Sequence, residues 1–279
     1  MTVKSTHLAM LRCPVCAAAM QADELGRACR CTGERTHSYD FARSGYLNLT
    51  RPSDGEGDLR EAINARKLFL NAGYYEPLSN EINSILQTLN AKTVLDAGCG
   101  EGYYTNRMAR EDCAVLGVDL SRAGIDAAAK QAKQGSTNAA FAVGSIFSLP
   151  VGNATCDVVT NLFAPCCESE FSRVLKTNGH LILVGAGERH LMGLKQVLYD
   201  NPYLNPGRAD LPTQMKEIDR RRLTYTVTVE GREAIEALFS MTPYYWRTSE
   251  ADHAKLNAIQ SLTTELDFDI FTYKKGDQQ

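Results

Sequence analysis

"VLDAGCGEGYYT", residues 94–105, decides the fold. An apolar run ends in Asp96, and the chain then turns through Gly98, Gly100 and Gly102. Glycines at this spacing let the backbone bend tightly and let a ligand approach its N–H groups. Outward from the turn, short strand-like runs alternate with amphipathic ones: "AVLGVDL" (114–120), an alanine-rich helical stretch, "AAFAVG" (139–144), "DVVTNLF" (157–163) and "HLILVGA" (180–186). That βαβα order predicts an α/β fold, a mostly parallel sheet with helices on both faces. "RRLTYTVTVEG" (221–231) and "LDFDIFTYKK" (266–275) alternate as strands around the helical "REAIEALFSM" (232–241), and complete the sheet. Upstream, residues 59–73 and 75–90 show helical spacing, with Gly73 placed to end the first helix.

The glycine turn departs from the nicotinamide and flavin pattern. Its spacing is G-x-G-x-G, and Tyr103 occupies the position where those folds pack a glycine against the sheet. The next strand ends in Asp119, placed to accept hydrogen bonds from the two ribose hydroxyls of an adenosine. Strand, D-x-G-x-G-x-G and a second-strand acid, in that order, resemble the motifs of S-adenosylmethionine (SAM)-dependent methyltransferases.

Composition separates a head from a body. The 279 residues are 44% hydrophobic, enough for a sizeable core, and net charge is −3, which argues against a protein that coats nucleic acid indiscriminately. Residues 1–51 hold seven Lys/Arg against four acids, leaving 23 against 29 in the remainder: a +3 head on a −6 body. "TRPSDGEGD" (50–58) reads as a linker or mobile loop between a 1–50 module and a 59–279 domain. No apolar run is long enough to span a membrane and no signal-peptide pattern opens the chain, so a cytoplasmic protein with reduced thiols is expected.

Four of the nine cysteines crowd into "RCPVCAAAMQADELGRACRCTGERTH" (12–37). Cys13 and Cys16 form C-x-x-C, which lets two thiolates of one turn share a tetrahedral Zn2+; Cys29, Cys31 and His37 are the donors available for a second turn. A thioredoxin-like redox pair would need a preceding strand and a following helix, whereas here an acidic turn and a hairpin-like "RACRC" follow. The metal would be structural, because so few residues cannot bury enough apolar surface to fold alone.

With both motifs in hand, the chain resembles the RlmA family of 23S rRNA (guanine-N1)-methyltransferases over nearly its whole length. The resemblance rests on "CPVC", "HSYDFARSGYLNL", "ARKLFLNAGYYEPL", "LDAGCGEGYYT", "FAPC" and "RHLMGLK", in family order. It implies a class I methyltransferase fold with a seven-stranded Rossmann-like sheet, SAM as methyl donor, N1 of one guanine in a 23S rRNA hairpin loop as acceptor, and a homodimer whose heads help form an RNA cleft. It also implies three cysteines and one histidine on the zinc: Cys13, Cys16, His37 and either Cys29 or Cys31. Cys31, nearer the turn, is preferred. Tyr75, Gly100, Glu101 and His190 match positions that help enclose SAM, beside Asp96, Gly98, Gly102 and Asp119 of the turn. Asn161, in "NLFAPC" at the end of the fourth strand, is a candidate contact to the base edge; Arg220–Arg222 reads as the solvated start of a strand or as a phosphate contact. Two other classes stay open at this point: a SAM enzyme for a small molecule with the head as a lid, and a non-catalytic rRNA-binding assembly factor.

Overall fold

The computed structural model describes residues 4–276. The head opens with α1 (Ser5–Met10) and a three-stranded sheet of β1 (Met20–Ala22), β2 (Ala28–Cys31) and β3 (Ser38–Asp40), followed by β4 (Leu47–Asn48). Two helices precede the glycine turn, α2 (Arg60–Asn71) and α3 (Glu76–Thr88). Then come β5 (Thr93–Ala97), α4 (Tyr103–Met108), β6 (Ala114–Asp119), α5 (Arg122–Gly135), β7 (Ala139–Val143), β8 (Cys156–Leu162), α6 (Glu168–Val174) and β9 (Leu175–Ala186). The chain finishes with α7 (Met192–Leu198), β10 (Lys216–Glu230), α8 (Arg232–Ser240), α9 (Glu250–Ala254) and β11 (Ser261–Lys274).

The large sheet has eight strands in the order β10-β11-β9-β8-β5-β6-β7-β4, seven from the body and β4 from the head. From β9 to β4 the pairings are parallel, and β11 pairs antiparallel with both its neighbours. The central strands are apolar because both faces are covered: Val94, Leu95, Val115, Leu116, Val158 and Val159 are all buried. From β5 the chain steps outward through β6 and β7, then returns to β8 on the other side. That reversal leaves a crevice at the carboxyl ends of β5 and β8, the place where open parallel sheets bind ligands.

Local chemistry explains the helices that flank the crevice. α3 buries Leu78, Ile82, Ile85 and Leu86, one face at helical spacing. α5 starts at Ser121, whose hydroxyl accepts the Gly124 N–H at 3.1 Å, and stops at Ser136 in the left-handed region. α2 ends with Gly73 at φ +86°, the C′ position read from the sequence.

The head does not stand apart. β4 adds to the edge of the large sheet beside β7, and Leu11 bridges to Val151. Met10, Leu11, Met20 and Leu47 share one apolar core with Leu116, Val118, Ala140 and Val151 of the body. The 50–58 segment is irregular, yet it returns to the sheet: Asp58 O accepts the Ser121 hydroxyl at 2.8 Å. A Cβ at Gly57 would lie 2.2 Å from the Ser121 nitrogen, so only glycine permits this approach.

Candidate functional site

The turn after β5 is built by its glycines and its buried acids. Gly98, Gly100 and Gly102 have φ of +85°, +54° and +76°, which L side chains rarely adopt. A Cβ at Gly98 would meet Ala164 at 2.5 Å, and one at Gly102 would meet Ala128 at 2.6 Å. The carboxylate of Asp119 accepts the Gly100 N–H at 3.0 Å and the Ser121 N–H at 2.7 Å, tying β6 to the turn. A carboxylate has about four acceptor sites. Two remain for the two hydroxyls of a ribose, so the residues fit the adenosine expected there. Asp96 is buried behind the turn and accepts the hydroxyls of Thr105 at 2.6 Å and Thr160 at 2.9 Å.

Burial raises all three acids of this group above their ordinary values: Asp96 to about 6, Glu101 to about 7, and Asp119 in the same direction. Arg66 of α2 partly offsets the charge, lying 3.5 Å from Glu101 and 2.7 Å from Asp58. A sulfonium cation suits such a cluster of carboxyl groups. Arg66, Asp58, Thr105 and Thr160 were given no role by the sequence, since residue type alone does not show which acid each meets, and the Thr160 partner lies 64 residues away.

Tyr75 and His190 meet on the other flank of the turn. The Tyr75 hydroxyl lies 3.1 Å from His190 Nε2, and both side chains are buried. His190 Nδ1 accepts the Asp267 N–H, so the proton of the neutral ring sits on Nε2 and is donated to Tyr75. Burial holds His190 near 4, well below its ordinary value. The Tyr75 proton is thereby left for another acceptor.

Asn161 takes a different part from the one expected. It is fully buried, donates to Ala97 O at 3.0 Å and Pro165 O at 3.2 Å, and accepts Arg208 at 2.7 Å. Both amide hydrogens and one lone pair of Oδ1 are thus spent inside the protein, so this amide supports the 161–165 turn. The run Arg220–Arg222 is also engaged, with ion pairs to Glu217, Glu81 and Asp267, so it does not stand ready for phosphate.

In the head, the donor atoms of Cys13, Cys16, Cys31 and His37 lie within 4.8 Å of one another. Cys16 Sγ to Cys31 Sγ is 3.6 Å, and His37 Nδ1 lies 3.6 Å from Cys13 Sγ and 3.4 Å from Cys31 Sγ. A tetrahedral zinc with bonds of about 2.3 Å to sulfur and 2.0 Å to nitrogen needs edges of roughly 3.5 to 3.8 Å. The cluster fits. N–H donation from His37, with further bonds, brings the Cys31 thiol down to about 6, the deprotonated form a metal requires. Cys29 lies two residues earlier on β2, outside the cluster, and burial pushes its thiol up to about 11. A Cβ at Gly33 would stand 3.0 Å from Cys16 Sγ, so a larger residue in the second turn would press on this donor.

Known proteins carry the same two parts. A methyltransferase-domain family model matches residues 89–227, and the model of the RlmA N-terminal zinc ribbon matches residues 11–51. The Bacillus subtilis protein YxjB, provisionally named a 23S rRNA (guanine-N(1)-)-methyltransferase, is 33% identical over 284 residues, 96% of this chain and 98% of YxjB. The 23S rRNA (guanine(748)-N(1))-methyltransferase of Streptomyces fradiae is 27% identical, covering 93% of this chain and 95% of that one. A Micromonospora griseorubida protein, provisionally named like YxjB, is 33% identical over 91% of this chain and 92% of its own length. With head and body both matched, and with a relative one-third identical from end to end, the chain belongs to the RlmA family of SAM-dependent 23S rRNA (guanine-N1)-methyltransferases.

Proposed function

We propose that this chain moves the methyl group of SAM to N1 of one guanine in a 23S rRNA hairpin, and that its zinc head holds the RNA. The observation that carries the reading is the distribution of unpaired cations. Among the described residues, Lys4, Arg27, Arg30, Arg35 and Arg43, five of the head's seven Lys/Arg, form no ion pair, against ten of the body's 23. A cavity of about 340 Å³ opens between head and body, bordered by Lys4, Arg27, Arg43 and Lys133 with no acid among its lining residues. Such a surface suits phosphates, whose contacts set the register of a nucleic acid.

SAM, when bound, supplies an electrophilic methyl carbon. Asp119 would take the ribose hydroxyls, the glycine turn, free of side chains at Gly98, Gly100 and Gly102, would let the cofactor approach the backbone, and Tyr75 with His190 would close the apolar flank. Cys13, Cys16, Cys31 and His37 hold zinc and thereby the shape of the head. Guanine N1 lies on the Watson–Crick edge, so the base must be unpaired or extruded to reach the methyl carbon. Catalysis then rests mainly on alignment. The resemblance further implies a homodimer, which light scattering would read as twice the 30.7 kDa chain mass.

The test is transfer of labelled methyl from SAM to 23S rRNA of a deletion strain, with the site mapped as a reverse-transcription stop. Label entering rRNA at one guanine supports the reading. Label entering free guanine nucleotides or metabolites but never rRNA would replace it with a small-molecule enzyme.

A further inference from the structure

We infer that Phe163 is the platform on which the target guanine stacks during methyl transfer. Phe163 has φ +59°, a region where bulky residues are true outliers. Leu191 shares that conformation, but its side chain is 2% exposed and core packing accounts for it. Phe163 is 45% exposed, so core burial does not explain why a phenylalanine occupies a backbone that glycine would adopt freely. A strained residue persists where its surroundings over-determine it, commonly at a ligand site.

The surroundings do over-determine it. Asn161 and Arg208 fasten the 161–165 turn from both sides, Arg208 also bonding Ala164 O at 2.7 Å, and Phe163 N–H donates to Val184 O at 3.0 Å. The ring rests against Tyr75 at 6.3 Å and edge-on against Phe268 at 5.8 Å between centroids, leaving the rest of its surface open.

Position selects the ligand. In the sheet, β6 and β8 flank β5 on opposite sides. Asp119 at the end of β6 would hold the ribose, and on the β8 side of the glycine turn Ala164 packs against Gly98 with Phe163 next to it in the chain. A flat, apolar, exposed ring at the methyl-transfer end suits the face of an extruded base, which enzymes acting on nucleobases read by stacking. The inference rests on the proposed rRNA reaction.

The test uses the full chain and a synthetic hairpin carrying the guanine located by the reverse-transcription stop. Phe163→Leu should keep SAM affinity and lower kcat/KM by about 10- to 100-fold, while Phe163→Tyr should stay within about threefold of the native rate. The chain has one tryptophan, Trp246, so Phe163→Trp in a Trp246→Phe background reports on the platform directly. Its emission should be quenched by the hairpin and much less by one lacking the target base. Native rates for Phe163→Leu, or equal quenching by the abasic hairpin, would overturn the platform while native methylation of rRNA leaves the enzyme reading intact. A loss of SAM affinity matching the loss of rate would assign the ring to the cofactor instead.

Discussion

At the scale of single residues, the buried acids around the glycine turn make the sharpest predictions. Asp119 joins strand, turn and cofactor, so Asp119→Ala should weaken SAM binding by about 2 to 4 kcal/mol, the worth of charge-assisted bonds partly replaced by water. Calorimetry on a folded variant decides it, and unchanged affinity would remove Asp119 from the site. Glu101 predicts a pH effect. Its native carboxyl is raised from 4.5 to about 7, so the native state holds the proton more tightly than the unfolded chain. Stability is therefore withdrawn as pH rises from about 4.5 to 7, by on the order of 2 to 3 kcal/mol in the SAM-free protein. Glu101→Gln removes that loss. Its advantage in melting temperature should grow across this window and level off above it; a difference that ignores pH would show an acid titrating as if exposed.

Among the elements, the turn before β1 that carries Cys13 and Cys16, the end of β2 and the turn after it act as one zinc clasp. Cys31 and Cys29 lie two residues apart on β2, yet only Cys31 reaches the donor cluster. Cys31→Ser should lose the metal from a protein that otherwise holds one zinc per chain, whereas Cys29→Ser should retain it, as elemental analysis would show. Because Met10, Leu11 and Leu47 share their core with β6 and β7, zinc loss should lower the melting of the whole chain rather than a separate head. Retained zinc in Cys31→Ser, or an unshifted melt after its loss, would contradict this coupling. Strand β10 shows how pairing alters a motif: its arginine run is a charge patch in sequence, but Glu81, Glu217 and Asp267 neutralise it in the fold.

For the molecule as a whole, the −3 net charge conceals a division that matters for RNA. The head contributes Lys4, Arg27 and Arg43 and the body contributes Lys133 to the same groove, so the binding surface crosses the head–body seam. Replacing Arg27, Arg43 and Lys133 with Gln should leave SAM affinity nearly intact and weaken rRNA binding. The slope of log affinity against log salt should flatten by up to about 0.9 for each phosphate of a duplex stem that the protein no longer neutralises. An unchanged slope with unchanged affinity would place the RNA elsewhere.

What the sequence determined by itself are features written in short-range pattern. The glycine turn, Asp119, the alternation of strands and helices, the C-x-x-C pair and Gly73 each follow from residue type and spacing within a few positions. Tertiary structure decided matters that depend on who meets whom across long separations. It chose Cys31 over Cys29 by distance, took Asn161 into the support of a turn, neutralised the arginine run, and fused the head to the body through β4. It also brought Arg66 to Glu101 and left Phe163 half exposed in a strained turn. Local sequence specifies backbone preference and hydrophobic period, but ion pairs, buried hydrogen bonds and shared cores form only when the sheet gathers distant segments. Those contacts fix which of the available side chains are spent inside the protein and which remain for a ligand.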